Sequence, residues 1–164
     1  MRPEQNDLST PPMHLALDAA RQAASMGEVP VGAVITEAAT GRVLAVAHNR
    51  VETDQDPTAH AEILAIREAA RVIGAARLTD CDLHVTLEPC AMCAQALAHA
   101  RIRRLFFGAY DPKGGGVEHG ARVFSHPTCH HRPDVVGGIE ERASSELLRS
   151  FFRDLRDGAT GQQS

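Results

Sequence analysis

Two short groups of residues in this chain have the types and spacing to do metal chemistry. His60-Ala61-Glu62 is one; Pro89-Cys90-Ala91-Met92-Cys93 is the other. An imidazole and two thiolates are ligands that zinc favours, and three protein ligands without an obvious fourth leave an open position, as catalytic sites do and closed structural sites do not. Cysteines three apart share one helical face, so Cys90 and Cys93 can grip one ion together. At the start of a helix they also meet the positive end of its dipole, which with a metal favours thiolate over thiol. His60 and Glu62, two apart, diverge within a regular helix, so His60 is expected at a helix start. Glu62 is then close to the ion without binding it, free to move protons.

Competing readings explain less. A redox C-x-x-C pair leaves His60 and Glu62 without a role and lacks an adjacent aromatic, and a structural zinc would be fully ligated. His126, Cys129, His130 and His131 form a second cluster in a loop, read as solvated or locally hydrogen bonded rather than as another metal site. Cys81 reads as an ordinary buried thiol.

The elements that must position these groups follow from periodicity. A helix is expected over 13–26, stopped by Gly27, then strands over 31–36 and 42–48 joined at Thr40-Gly41 as an antiparallel hairpin. Residues 49–58 read as polar loop and 59–75 as a helix closing near Gly74. A buried strand over 83–87 leads to a helix running to about residue 100, with Pro89 in its first turn. A strand over 105–109 follows, then a long Gly-, His- and Pro-rich loop over 110–133 with room for one helical turn. A weak fifth strand over 135–139 and a last helix over 140–156 complete the pattern. It predicts an α/β fold of three layers, α/β/α, around a mixed five-stranded sheet.

Length and composition set the outer limits. The chain has 164 residues, 43% apolar, enough for one core and short for two. Residues 12–156 are therefore expected as a single domain between flexible segments 1–11 and 157–164. Four cysteines in so apolar a chain suit reduced thiols better than a disulfide framework. A net charge of −4 offers no general attraction for nucleic acid, so phosphate contacts must come from a local patch. With no stretch apolar enough for a signal or a span, a cytoplasmic protein without a membrane partner is expected.

The chain resembles the bacterial tRNA adenosine deaminase family, with its cytidine deaminase-like fold, over residues 15–156. The resemblance rests on Glu28-Val29-Pro30-Val31-Gly32-Ala33-Val34, Asp56-Pro57-Thr58-Ala59-His60-Ala61-Glu62-Ile63, Val85-Thr86-Leu87-Glu88-Pro89-Cys90-Ala91-Met92-Cys93, Phe107-Gly108-Ala109 with Asp111, and Phe151-Phe152-Arg153. It implies one Zn2+ per subunit held by His60, Cys90 and Cys93, with Glu62 as the proton carrier of a hydrolytic deamination. It further implies Asn49 and Asp111 as substrate contacts, a homodimer, and the wobble adenosine of an arginine tRNA anticodon loop as target. Asn49 could instead be a plain turn residue and Asp111 a cap. On the last helix Leu147, Leu148, Phe151, Phe152 and Leu155 form one side, while Arg149, Arg153 and Arg156, with Arg142, form a basic stripe suited to RNA phosphates. Arg50, Arg101, Arg103 and Arg104 are candidates to extend it. The alternative is deamination of a free base or nucleoside such as guanine or cytosine with the same metal and Glu62.

Overall fold

The computed structural model describes residues 10–160. Five strands form one sheet in the order β2-β1-β3-β4-β5: β1 (Gly32–Glu37), β2 (Val43–His48), β3 (Cys81–Leu87), β4 (Arg104–Ala109) and β5 (Asp134–Val136). β1 pairs antiparallel with β2 and with β3, whereas β3-β4 and β4-β5 are parallel. The sheet is therefore mixed, as the hairpin followed by alternating elements predicted. A register shift between Ile35 and Thr36 bends the hairpin near its turn.

Helices cover both faces. α1 (Pro12–Ser25) and α5 (Glu141–Thr160) lie on one side. α3 (Ala61–Ile73) and α4 (Ala91–Ala100) lie on the other, and the short α2 (Val51–Asp54) links the end of β2 to the segment that enters α3. The larger core is on the α3/α4 side, where Ala65, Ala69, Ala94 and Leu97 meet Leu83, Val85, Leu105 and Phe107. On the opposite side α1 lies so close to β1 that a Cβ on Gly32 would strike the Ala16 carbonyl. A glycine at that point is what allows the small-residue face of α1 to seat.

The structure departs from the expected elements in four places. Residues 51–54 are helical rather than loop. Pro89 precedes α4 instead of entering its first turn, since Cys90 is the N-cap. β5 covers Asp134–Val136, a shorter and earlier strand than expected. α5 continues through Thr160, so residues 157–160 are helical and not a flexible tail. The expected flexibility of 1–9 and 161–164 falls outside the described residues. Among the described residues, no helix is long and apolar enough to cross a membrane.

His84, on β3, stacks on Phe106 with ring centroids 4.8 Å apart and planes 6° apart, and its Nε2 is 3.4 Å from Thr36 Oγ1. Burial pushes its imidazole down to about 4, with Asp82 opposing. The unfolded chain, with an ordinary histidine, binds the extra proton first, so this group weakens the fold as pH falls from about 6.5, by roughly 2 kcal/mol at pH 5. Thermal melts of wild type and His84→Gln across that range should converge toward neutral pH and separate in acid, with the wild type showing the steeper loss. Parallel curves would remove His84 as the cause.

Candidate active site

The two metal-binding groups begin two helices. His60 is the N-cap of α3, with φ −74° and ψ 151°. Cys90 is the N-cap of α4, with φ −69° and ψ 174°, which puts Cys93 three residues into that helix. The extended backbone at His60 resolves the spacing problem: its side chain is released from the helical spiral and faces the same cavity as Glu62 and Cys90.

His60 Nδ1 lies 3.6 Å from Cys90 Sγ and 3.5 Å from Cys93 Sγ, and the three donor atoms lie within 4.8 Å of one another. Tetrahedral ligands at zinc's usual N and S bond lengths are separated by about 3.6 Å, which both nitrogen–sulfur separations match. The proton chemistry also fits. The Cys90 thiol is held down to about 4 by donation from Cys93, against burial and with help from His60. The hydrogen bond to Cys90, then burial, pushes the Cys93 thiol up. His60 is raised, chiefly by its bond to Cys90. Protons and a divalent cation compete for the same three groups, and two helix N-termini favour negative charge there.

Glu62 is 4% exposed, and burial pushes its carboxyl above the ordinary range. It lines a cavity of about 480 Å³ together with His60, Cys90, Asn49, Asp111 and Phe151. Asn49 is buried at the end of β2, its backbone N–H donating to the Val31 carbonyl at 3.0 Å. Asp111 reaches the cavity wall, but its Oδ1 accepts the N–H groups of Lys113 and Gly114 at 3.2 and 2.9 Å. The geometry therefore gives it a turn-capping role as well as a place in the wall.

Other expected residues separate. Arg149, Arg153 and Arg156 are exposed on α5, and none of them lines the cavity. Phe151, Phe152 and Leu155 of the same helix do line it, a role that the apolar stripe alone did not reveal. The arginines considered as extensions of the basic stripe are engaged elsewhere: Arg50 with Asp54, Arg103 with Asp82, Arg104 with Asp134 at 3.7 Å, and Arg101 with the Ala98 carbonyl. In the histidine-rich loop, His126 and His131 bond the carbonyls of Ala121 and Ile102, and Cys129 donates to the carbonyl of His131. These side chains form no second metal cluster among the described residues.

Sequence reasoning gave no role to two acids. Glu28, 1% exposed, accepts the N–H groups of Glu52 and Thr53 at 2.9 and 3.2 Å and the Thr53 hydroxyl at 3.1 Å. It holds α2 in place and thereby the chain between Asn49 and His60. Burial raises its pKa, but those hydrogen bonds outweigh burial and leave it below the ordinary range. Glu88, buried just past the end of β3, is the second. The available signal was an isolated acid directly after the buried strand ending Val85-Thr86-Leu87.

Residues 9–109 match the family described as the cytidine and deoxycytidylate deaminase zinc-binding region. A protein of Agrobacterium fabrum named tRNA-specific adenosine deaminase is 56% identical over 144 residues, covering 88% of this chain and 93% of the relative. One of Bacillus subtilis with the same name is 42% identical, covering 88% of each. A solved structure from a study of A-to-I editing by tRNA:A34 deaminases at the wobble position superposes with a TM-score of 0.81 at 55% identity, over 84% of this chain and 98% of that one. A guanine deaminase from Bacillus subtilis superposes with a TM-score of 0.60 at 31% identity, over 89% and 92%.

Metal analysis of the purified protein should find about one zinc per chain, the number that a single three-ligand site holds. His60→Ala and Cys93→Ala should each reduce it to a small fraction. Undiminished zinc in both variants would place the ligands elsewhere.

Proposed function

Since the chain belongs to the cytidine and deoxycytidylate deaminase zinc-binding family, we propose that it hydrolyses adenosine to inosine and ammonia at the wobble position of a tRNA, an arginine tRNA by family resemblance. The observation that carries the chemistry is one cavity bounded by His60, Cys90 and Glu62, with Cys93 completing the donor set behind it. His60, Cys90 and Cys93 would hold zinc, one per subunit. When bound, zinc supplies the Lewis acidity that brings water's pKa toward neutrality.

The chain's own residues do the rest. Glu62 accepts the proton that water gives up as its oxygen attacks the purine carbon bearing the amino group. It passes that proton to the adjacent ring nitrogen, then takes the second proton from the newly added hydroxyl and delivers it to the departing amine as the C–N bond breaks and the carbonyl forms. A carboxyl raised by burial holds a proton more readily than an ordinary glutamate does, which suits a group that must receive a proton and pass it on. Asn49 and the Asp111 wall would orient the base, and the closed surroundings of Glu62 would limit competing water.

Support for RNA over a free base comes from the relatives at 56% and 42% identity named for tRNA, against 31% for the guanine deaminase. The cavity mouth agrees: Phe152 and Leu155 remain 43% and 53% exposed at its edge, an apolar lip on which a splayed nucleotide can rest. Arg149, Arg153 and Arg156 would meet phosphates beyond that lip. A homodimer acting in the cytoplasm completes the proposal.

The zinc-loaded protein, incubated with an anticodon stem-loop bearing a wobble adenosine and in parallel with adenosine, guanine and cytosine, should form inosine in the RNA and release ammonia only there. Glu62→Ala should lower kcat by about 10²-fold or more while zinc content stays unchanged. Turnover confined to a free base would overturn the tRNA assignment. For the phosphate contacts, Arg149→Ala and Arg153→Ala should each flatten the dependence of log affinity on log salt by about one. An unchanged slope would remove that arginine from the interface.

A further inference from the structure

Five hydrogen bonds converge on a buried carboxylate that the chemistry above does not use. Glu88, whose side chain is fully enclosed, lies one residue before Pro89 and two before Cys90. Its Oε2 accepts the consecutive backbone N–H groups of Val117, Glu118 and His119 at 3.3, 3.0 and 3.1 Å. Its Oε1 accepts the Asp111 N–H at 3.1 Å and lies 2.8 Å from His119 Nδ1. Three successive amides aimed at one oxygen form a concavity of the kind that binds anions, and here the protein supplies the anion itself.

This arrangement leaves no slack. A Cβ on Gly115 would land on Glu88 Oε2 and the Asp111 carbonyl. The next residue, Gly116, donates its N–H to the Pro89 carbonyl at 2.8 Å, so the strap is sewn to the turn that presents Cys90. Asp111 and Gly114, at the near end of the strap, line the cavity.

We propose that Glu88 is a positioning residue for substrate: an internal anion that ties residues 111–119 to the metal-bearing turn and so sets the Asp111 and Gly114 wall of the cavity. The proposal rests on the deaminase reading, with the wall and the metal-holding side chains as separable parts. Glu88 is distinct from Glu62: it too borders the cavity, but its carboxylate is fully enclosed and taken up by backbone amides and His119.

Glu88→Gln keeps the shape and turns one acceptor into a donor facing N–H groups. Hydrogen exchange, zinc content and steady-state kinetics of the zinc-loaded variant test the idea together. Exchange of the 111–119 amides should accelerate at least tenfold while the β1 and β2 amides keep their wild-type rates. KM for the anticodon stem-loop should rise about tenfold, kcat should change less than threefold, and zinc should stay at the wild-type level. His119→Ala, which removes only the side-chain partner, should move KM in the same direction by a smaller factor, and it decides the matter if the first variant does not fold. Loosened loop amides with unchanged KM, a fall in kcat without a rise in KM, or faster exchange throughout the sheet would each overturn the proposal. If wild type turns over a free base instead of RNA, the function above falls, and the KM-against-kcat comparison is made with that base.

Discussion

Helices α3 and α4 begin at the same point, and their first residues are ligands rather than conventional caps. Neither His60 nor Cys90 makes a side-chain cap hydrogen bond to its own helix. Forgoing a serine or aspartate at an N-cap costs a helix about 1 kcal/mol, so both helices give up local stability to present donors to a common centre. The donors converge because the N-cap backbone is extended, which frees a side chain from the helical spiral at the position where the helix dipole favours an anionic ligand. A cation held by His60, Cys90 and Cys93 returns stability to the junction, since binding that occurs only in the folded state adds to folding free energy. Site and fold are thus one linked equilibrium at this corner of the sheet.

Two buried carboxylates keep the rest of the cavity around that junction. An unpaired charge in the interior would be expensive. Glu28 and Glu88 avoid that cost by accepting hydrogen bonds from backbone amides of segments distant in sequence. Both are held below the ordinary carboxylate range, hydrogen bonds outweighing burial. Glu28 anchors the segment leading to His60, and Glu88 anchors the segment carrying Asp111. Amides with no ladder partner, in the first turn of α2 and in the irregular 111–119 segment, are in each case satisfied by a single charged side chain.

This pattern explains which parts of the structure could be read in the sequence. His60, Glu62, Cys90 and Cys93 are legible because ligand chemistry restricts residue type and spacing at once. The helix ending at Gly74 is legible because a residue at φ +70° favours glycine. The short α2 is not, because the carboxylate that satisfies its first-turn amides is at Glu28, far back in the chain. The order of residues 111–119 is likewise hidden: the donors are backbone amides, which nearly every residue possesses, and only the acceptor at Glu88 is encoded by a side chain. The ion pairs of Arg103 and Arg104 are hidden for a related reason. Their positive charge is visible in sequence, but the carboxylates that engage them come from neighbouring strands, whereas the Arg50–Asp54 pair spans one helical turn.

The division of the cavity between elements bears on how such a fold takes different substrates. The metal-binding residues come from α3 and α4 on one side of the sheet, with the larger core behind them. The apolar lip comes from α5, which packs on the other side against β4 and α1. Because these layers are separated by the sheet, side chains on the lip can change without disturbing the donors. A fold can therefore keep its reaction while its substrate varies. The likeness to both a tRNA:A34 deaminase study chain and a guanine deaminase accords with that separation. For a base presented at the end of an RNA loop, the relevant surface extends beyond the 480 Å³ cavity onto the exposed edge formed by Phe152 and Leu155. A free base would be enclosed by the cavity alone and would gain little from that edge, so the exposure of these two side chains favours a substrate that continues past the mouth.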